Sequence, residues 1–166
     1  PYGGRLDLQN QCLTAVGDAN KRLGEDGLRV LRAYRFMDQN RHGVWEPDDE
    51  LTTALITCGM MLEKVSQERL WAEFKRILVG QHAPKILEKM RIDGALSRIL
   101  PGWDAELQSQ FHLKTNEQDV VICRLVLLAS DIPAERWRVL DHDMRSLKIP
   151  NKERERVLKL HRILGN

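Results

Sequence analysis

The sequence predicts an all-α protein, a helical array, on three observations. From about Gly24 onward, apolar residues recur at three- and four-residue spacing, the period of a helix face. Helix start and stop signals built from Pro, Gly, Asp, Asn and Ser fall between the periodic segments. Only the stretch from Cys12 to Gly17, flanked by turn residues, reads as a strand. The 166 residues are 42% hydrophobic and carry a net charge of +2, which excludes intrinsic disorder and leaves enough apolar surface for a core without disulfides or metal.

The elements follow in order. A helix is predicted across Gly24 to Phe36. Pro47-Asp48-Asp49-Glu50 places acids in a first turn, and Leu51, Ala54, Leu55, Cys58 and Leu62 then form one stripe. Ser66 can cap a helix whose Leu70, Phe74, Ile77 and Leu78 share a face and which stops at Gly80. Pro84 opens another with Ile86, Leu87 and Met90, and a short helix runs toward Pro101-Gly102. Asn116 caps Glu117 to Ser130, apolar nearly all round and therefore the most buried helix of the C-terminal half. Asp131-Ile132-Pro133 starts a helix carrying Trp137 and Leu140, and Pro150-Asn151 starts the last, with Val157, Leu158, Leu160 and Leu164. A lone strand near Cys12 cannot bury its faces, which suggests a chain that begins inside a larger domain.

Composition narrows the function classes. The longest apolar run, Val120 to Ala129, is interrupted by Arg124 and is far short of the ~20 residues that span a bilayer, so no membrane partner is expected. Cys12, Cys58 and Cys123 are widely spaced and read as small buried hydrophobes in a reducing compartment. No secretory pattern opens the chain, and the expected location is cytoplasmic. The charge balance is too weak to announce nucleic acid by bulk attraction, so an RNA site has to be local.

The most informative segment is Gly24-Glu25-Asp26-Gly27-Leu28-Arg29-Val30-Leu31-Arg32-Ala33-Tyr34-Arg35-Phe36. On one continuous helix, Glu25, Arg29, Arg32 and Arg35 share a side, and Val30, Leu31, Ala33, Tyr34 and Met37 take the other. Acids in a first turn and a Glu25–Arg29 pair at i,i+4 also suit an ordinary surface helix. Three arginines on one face, however, repel one another unless anions sit nearby. Gly27, a poor helix former, leaves room for something to approach.

Glu-Asp-x-Leu-Arg-x-x-Arg-Ala-x-Arg-Phe resembles the nucleotide-selecting motif of class II tRNA nucleotidyltransferases, the CCA-adding enzymes and their bacterial poly(A) polymerase relatives. The resemblance runs along nearly the whole chain. Pro1-Tyr2-Gly3-Gly4, Asp7-Leu8 and Ala15-Val16-Gly17-Asp18 resemble the end of the family's head domain. Ser66 to Phe74 is similar to a motif helix that braces the neck, with Glu68, Arg69 and Glu73 at matching places. Ile99-Leu100-Pro101 and Leu147 to Glu153 resemble connecting elements of the body.

The resemblance implies a short remnant of the head over residues 1–24, a neck domain with the selecting motif over 25–80, and a helical body over 81–166. It implies an enzyme that adds C, A or both to the 3′ end of tRNA from CTP and ATP with Mg²⁺. Cytosine and adenine each present an amino donor beside a ring-nitrogen acceptor, whereas uracil and guanine present a carbonyl beside a ring N–H. A carboxylate at Asp26 and a guanidinium at Arg29 match the first pair and oppose the second. By the same analogy Glu25 orients Arg29, and Arg32 or Arg35 faces phosphate or the tRNA end. The family's Gly-rich loop, metal-holding D-x-D pair and Arg-Arg-Asp strand are not in this sequence. The chain alone is therefore expected to be inactive, with its own head domain as partner. The alternatives are a poly(A) polymerase fragment and a non-catalytic helical module that binds RNA or protein; Glu25-Asp26 favours the tRNA enzyme.

Other motifs are weaker. Asp141-His142-Asp143 spells D-x-D, but a helix turns residues two apart to nearly opposite sides, so it reads as a solvated helix surface. The histidines show no metal-ligand spacing, and no metal is assigned. Gly3-Gly4 lacks the context of a phosphate loop. Lys152, Arg154, Arg156, Lys159 and Arg162 crowd the last helix and suit either tRNA phosphates or a solvated face. Trp45, Trp71, Trp103 and Trp137 read as core or rim packing rather than stacking platforms.

Overall fold

The computed structural model describes residues 11–38, 43–103 and 116–164, and within them the chain is an all-helical array. Strand β1 (Cys12–Leu13) is followed by α1 (Ala19–Glu25), α2 (Leu28–Met37), strand β2 (Glu46–Pro47), α3 (Asp49–Thr57) and a 3₁₀ segment (Cys58–Lys64). Then come α4 (Gln67–Leu78), α5 (Ala83–Ile92), α6 (Ala95–Ile99), α7 (Glu117–Leu128), a 3₁₀ turn (Ala134–Arg136), α8 (Trp137–Ser146) and α9 (Asn151–Leu164). The expected motifs over Pro1 to Gly4, at Asp7-Leu8 and around His42 and His112 lie outside the described residues.

Side-chain caps set three of the helix starts among the described residues. Asp18 accepts from the Lys21 N–H at 2.9 Å, Asp48 from the Leu51 N–H at 2.7 Å, and Asn116 from the Asp119 N–H at 3.0 Å, each satisfying an otherwise orphaned donor. Ser66 occupies the cap of α4 by position but makes no side-chain bond there. Pro84 sits in the first turn of α5.

Three expectations are corrected. The strand at Cys12 has a partner: β1 pairs in parallel with β2, Cys12 opposite Glu46 and Leu13 opposite Pro47, a non-local pairing that no neighbouring residue signals. The stripe from Leu51 to Leu62 is not one helix, because the backbone tightens to 3₁₀ at Cys58, although Leu51, Ala54, Leu55 and Leu62 are all buried. The helix predicted across Gly24 to Phe36 is two helices. Asp26 is extended, with φ −151° and ψ 114°, and its Oδ1 accepts from the Leu28 N–H at 3.0 Å, so a new helix begins there.

Packing joins the elements into one continuous core running from Ala19 to Val157. Helix α1 packs on α3, α2 on α4, α6 on the 3₁₀ segment, α4 on both α5 and α7, and α7 on α9. Val30, Leu31, Tyr34 and Met37 of α2 are fully buried, as are Phe74 and Leu78 of α4. Helix α7 buries seven of its residues, Arg124 among them, where α8 and α9 each bury three. Among the described residues no helix is long and apolar enough to cross a membrane.

Candidate nucleotide-binding site

The motif arginines and acids gather where α1 ends and α2 begins. Glu25 is the last residue of α1, Asp26 and Gly27 form the junction, and Arg29, Arg32 and Arg35 follow on α2. Gly27 has a helical φ of −56°, so no special backbone conformation demands glycine. The room it leaves is taken by the protein itself: a Cβ there would lie 2.1 Å from the Met61 carbonyl oxygen and 2.9 Å from Val65 Cγ2. The expectation that this space serves an approaching ligand is corrected.

The Arg29 backbone N–H donates to the Asp26 carbonyl at 2.9 Å, but the two side chains are anchored separately. Asp26 Oδ1 is held by the Leu28 N–H, and its Oδ2 lies 3.4 Å from Arg69 Nη2 on α4. Arg29 forms an ion pair with Glu25, and its Nη1 also donates to the Arg22 carbonyl at 2.9 Å, one of the free carbonyls in the last turn of α1. The Glu25–Arg29 pair is what both the orienting role and the ordinary i,i+4 reading call for. The side chains of Asp26 and Arg29 are 34% and 38% exposed, so both remain reachable from solvent.

The other two arginines diverge. Arg32 is exposed. Arg35 turns toward the core instead: its Nε lies 2.5 Å from Oε1 of Glu73, a carboxylate only 4% exposed that also takes Arg76 at 3.2 Å. Burial of an unpaired carboxylate is costly, and the two guanidinium groups offset that cost. Arg35 thus ties α2 to α4 rather than facing outward. Phe36 lies 5.0 Å under the Arg35 guanidinium and is 41% exposed.

Beside the motif is a largely apolar cleft of about 320 Å³, lined by Leu13, Ala15, Leu23, Ala33, Phe36 and Leu51, with Arg29 and Arg32 among its polar lining. A second hollow of about 350 Å³ is bordered by Val16, Asp18, Lys21, Arg22 and Glu25, so the Glu25–Arg29 pair reaches into both. Apolar walls with a few converging polar groups are the usual makeup of a small-molecule site. Sequence reasoning missed the cleft walls contributed by Leu13, Ala15 and Leu51, because they come from β1, the link after it and α3, which only tertiary packing brings together. It also did not place Arg69 at the site, although Arg69 had been singled out within its own helix.

The junction is held from behind. Tyr34, fully buried, donates its hydroxyl to Asp93 Oδ2 at 2.8 Å, and Lys89 binds the same carboxylate at 2.9 Å; burial pushes the Tyr34 hydroxyl far above its usual range. At the far end of α2, Asp38 Oδ1 accepts from the His82 backbone N–H at 2.9 Å and contacts His82 Nδ1 at 2.9 Å. Arg124 of α7 donates to the carbonyls of Leu78 and Gly80 at the end of α4. Burial lowers the Arg124 guanidinium and the nearby Asp38 charge opposes that.

The remaining motifs sort by burial. Asp141-His142-Asp143 lies on α8 as expected for a helix, but its surface is not wholly solvated: Asp143 is buried, and burial raises its carboxyl above the ordinary aspartate range. Asp141 instead pairs with Arg145 and Arg154. Arg154 and Arg156 are thus committed within the protein, Arg156 reaching Asp119 on α7, while Lys152, Lys159 and Arg162 are exposed. Trp71 and Trp103 are buried in the core. Among the described residues no group of three or more His, Cys, Asp or Glu side chains is placed to hold a metal ion.

Comparison with known proteins bears on the family and the fold. Residues 46–107 match the family model described as the probable RNA and SrmB-binding site of polymerase A. The CCA-adding enzyme of Leuconostoc citreum is 38% identical over 158 residues, covering 88% of this chain and 38% of that enzyme. Those of Streptococcus sanguinis and Geobacillus stearothermophilus are 34% and 32% identical, covering 69% and 92% of this chain but 29% and 37% of the enzymes. The chain thus spans about 29 to 41% of the length of the curated relatives it matches. In fold it is similar to the crystal structure of the Bacillus stearothermophilus CCA-adding enzyme in complex with CTP, with a TM-score of 0.68 and 24% identity over 99% of this chain and 41% of that one. The chain belongs to the class II tRNA nucleotidyltransferase family of CCA-adding enzymes and corresponds to their C-terminal portion.

Proposed function

We propose that this chain is the base-selecting and tRNA-binding part of an enzyme that adds C, A or both to the 3′ end of tRNA, drawing on CTP and ATP. The observation that carries the reading is the nearness of an accessible carboxylate and an accessible guanidinium, Asp26 and Arg29, each fixed by its own partners, with Arg29 lining a cleft of about 320 Å³. The carboxylate accepts from the amino group of cytosine or adenine, and the guanidinium donates to the adjacent ring nitrogen. Uracil or guanine would set carbonyl against carboxylate and N–H against guanidinium. Each unmatched polar contact costs about 1–3 kcal/mol, so two reject a wrong base by roughly two or more powers of ten.

Within this reading Glu25 holds Arg29, Arg32 faces the triphosphate or the tRNA end, and Arg35 works through Glu73. Exposed Lys152, Lys159 and Arg162 on α9 offer charge to tRNA phosphates. Mg²⁺ would neutralise developing charge during phosphoryl transfer. The described residues do not form a site that fits it, and the reading assigns it, with the transfer itself, to a head domain partner. A cytoplasmic location follows from tRNA as substrate. The family model's description also leaves room for a poly(A) polymerase, whose RNA-binding part would look similar.

The test is substitution in the complete enzyme. Asp26→Ala and Arg29→Ala should each lower the preference for CTP and ATP over UTP and GTP by about tenfold or more, measured as ratios of kcat/KM. An unchanged order among the four nucleotides would falsify base selection by this pair.

A further inference from the structure

A carboxylate that stands in for a template base must present its oxygens at fixed positions, and one bond does not achieve that. Asp26 lies in the extended link between two helices, and the Leu28 N–H fixes its Oδ1 alone. A single hydrogen bond restrains the side-chain torsions only softly, so the carboxylate can still swing, both oxygens together. The second point is supplied from 43 residues along the chain, where Arg69 Nη2 lies 3.4 Å from Oδ2. Two donors on two oxygens fix the plane of the group, and each oxygen keeps a lone pair for an incoming amino group.

Arg69 is itself well registered. It stands in the first turns of α4, whose Leu70, Trp71 and Phe74 are buried against the core, and one turn further on Glu73 pairs with Arg35 of α2. The helix that carries Arg69 is thus clamped to the helix that carries Arg29. Yet the Arg69 side chain is 56% exposed, and pairs this open add little to fold stability. Its contact is better suited to orientation than to holding the fold.

We propose that Arg69 is a positioning residue for base selection, fixing the plane of the Asp26 carboxylate so that its acceptors meet the amino group of cytosine or adenine. The inference rests on the reading of Asp26 and Arg29 given above. In the complete enzyme, Arg69→Ala should lower the ratio of kcat/KM for CTP over UTP by about tenfold, corresponding to one weakened contact, while the melting temperature stays unchanged. Arg69→Lys, which keeps the charge but not the planar fork, should restore part of the ratio. In an Asp26→Ala background, Arg69→Ala should change the ratio no further.

The inference is overturned if Asp26→Ala lowers the ratio and Arg69→Ala does not. It is also overturned if Arg69→Ala lowers the ratio as much without Asp26 as with it, or lowers activity on all nucleotides alike together with thermal stability. If Asp26→Ala itself leaves the ratio intact, base selection by Asp26 is what fails, and the role of Arg69 falls with it.

Discussion

Gly27 shows how a residue beside the site can matter without touching a ligand. Its φ and ψ are in the helical region, so alanine could adopt the conformation. Space decides the opposite: the added methyl would meet the Met61 carbonyl at 2.1 Å, and a backbone oxygen in the 3₁₀ segment cannot swing aside as a side chain can. Gly27→Ala should therefore destabilise the chain by about 1–3 kcal/mol in urea unfolding, the usual penalty of overpacking. A variant as stable as the parent would mean that the 3₁₀ segment yields freely. Because Asp26 and Leu28 flank Gly27, the same shift would disturb the carboxylate clamp.

Helix α4 organises the second scale. Its N-terminal turns carry Arg69 to Asp26, Glu73 takes Arg35, Lys75 reaches the buried Glu153 of α9 at 3.0 Å, and its end is closed by Arg124 from α7. Arg124→Met keeps length and apolar stem but removes the donor to the Leu78 and Gly80 carbonyls and the countercharge near Asp38. The loss should be about 2–4 kcal/mol of unfolding free energy, and an unchanged denaturation midpoint would show that water replaces the guanidinium without cost. The helices themselves were legible wherever a stripe and a stop signal coincided, as in α4 with Ser66 and Gly80 or α7 with Asn116. The break at Asp26 was not, since a side chain capping two residues ahead competes with a period that reads straight through it. Nor was the partner of β1, or the target of Arg124, which interrupts an apolar run for a reason 44 residues away.

For the whole molecule, the family was legible because the residues that carry the resemblance, with the proposed pair Asp26 and Arg29 among them, lie close together in a distinctive string. The walls of the cleft were not, being drawn from β1, α1, α2 and α3 and their links by tertiary packing. Joined through α4, the α1–α2 junction and the C-terminal helices form one connected body, as the proposed holding of the tRNA end against an incoming nucleotide would require. The central claim is that Asp26 reads the amino group. The most direct measurement is therefore nucleotide choice by Asp26→Asn in the complete enzyme, since an amide can turn its NH₂ toward the carbonyl of uracil and remove one of the two conflicts. The account predicts that UTP becomes a usable substrate and that the CTP to UTP ratio of kcat/KM falls by about tenfold or more. An Asp26→Asn enzyme that rejects UTP as strictly as the parent while still adding C would contradict it.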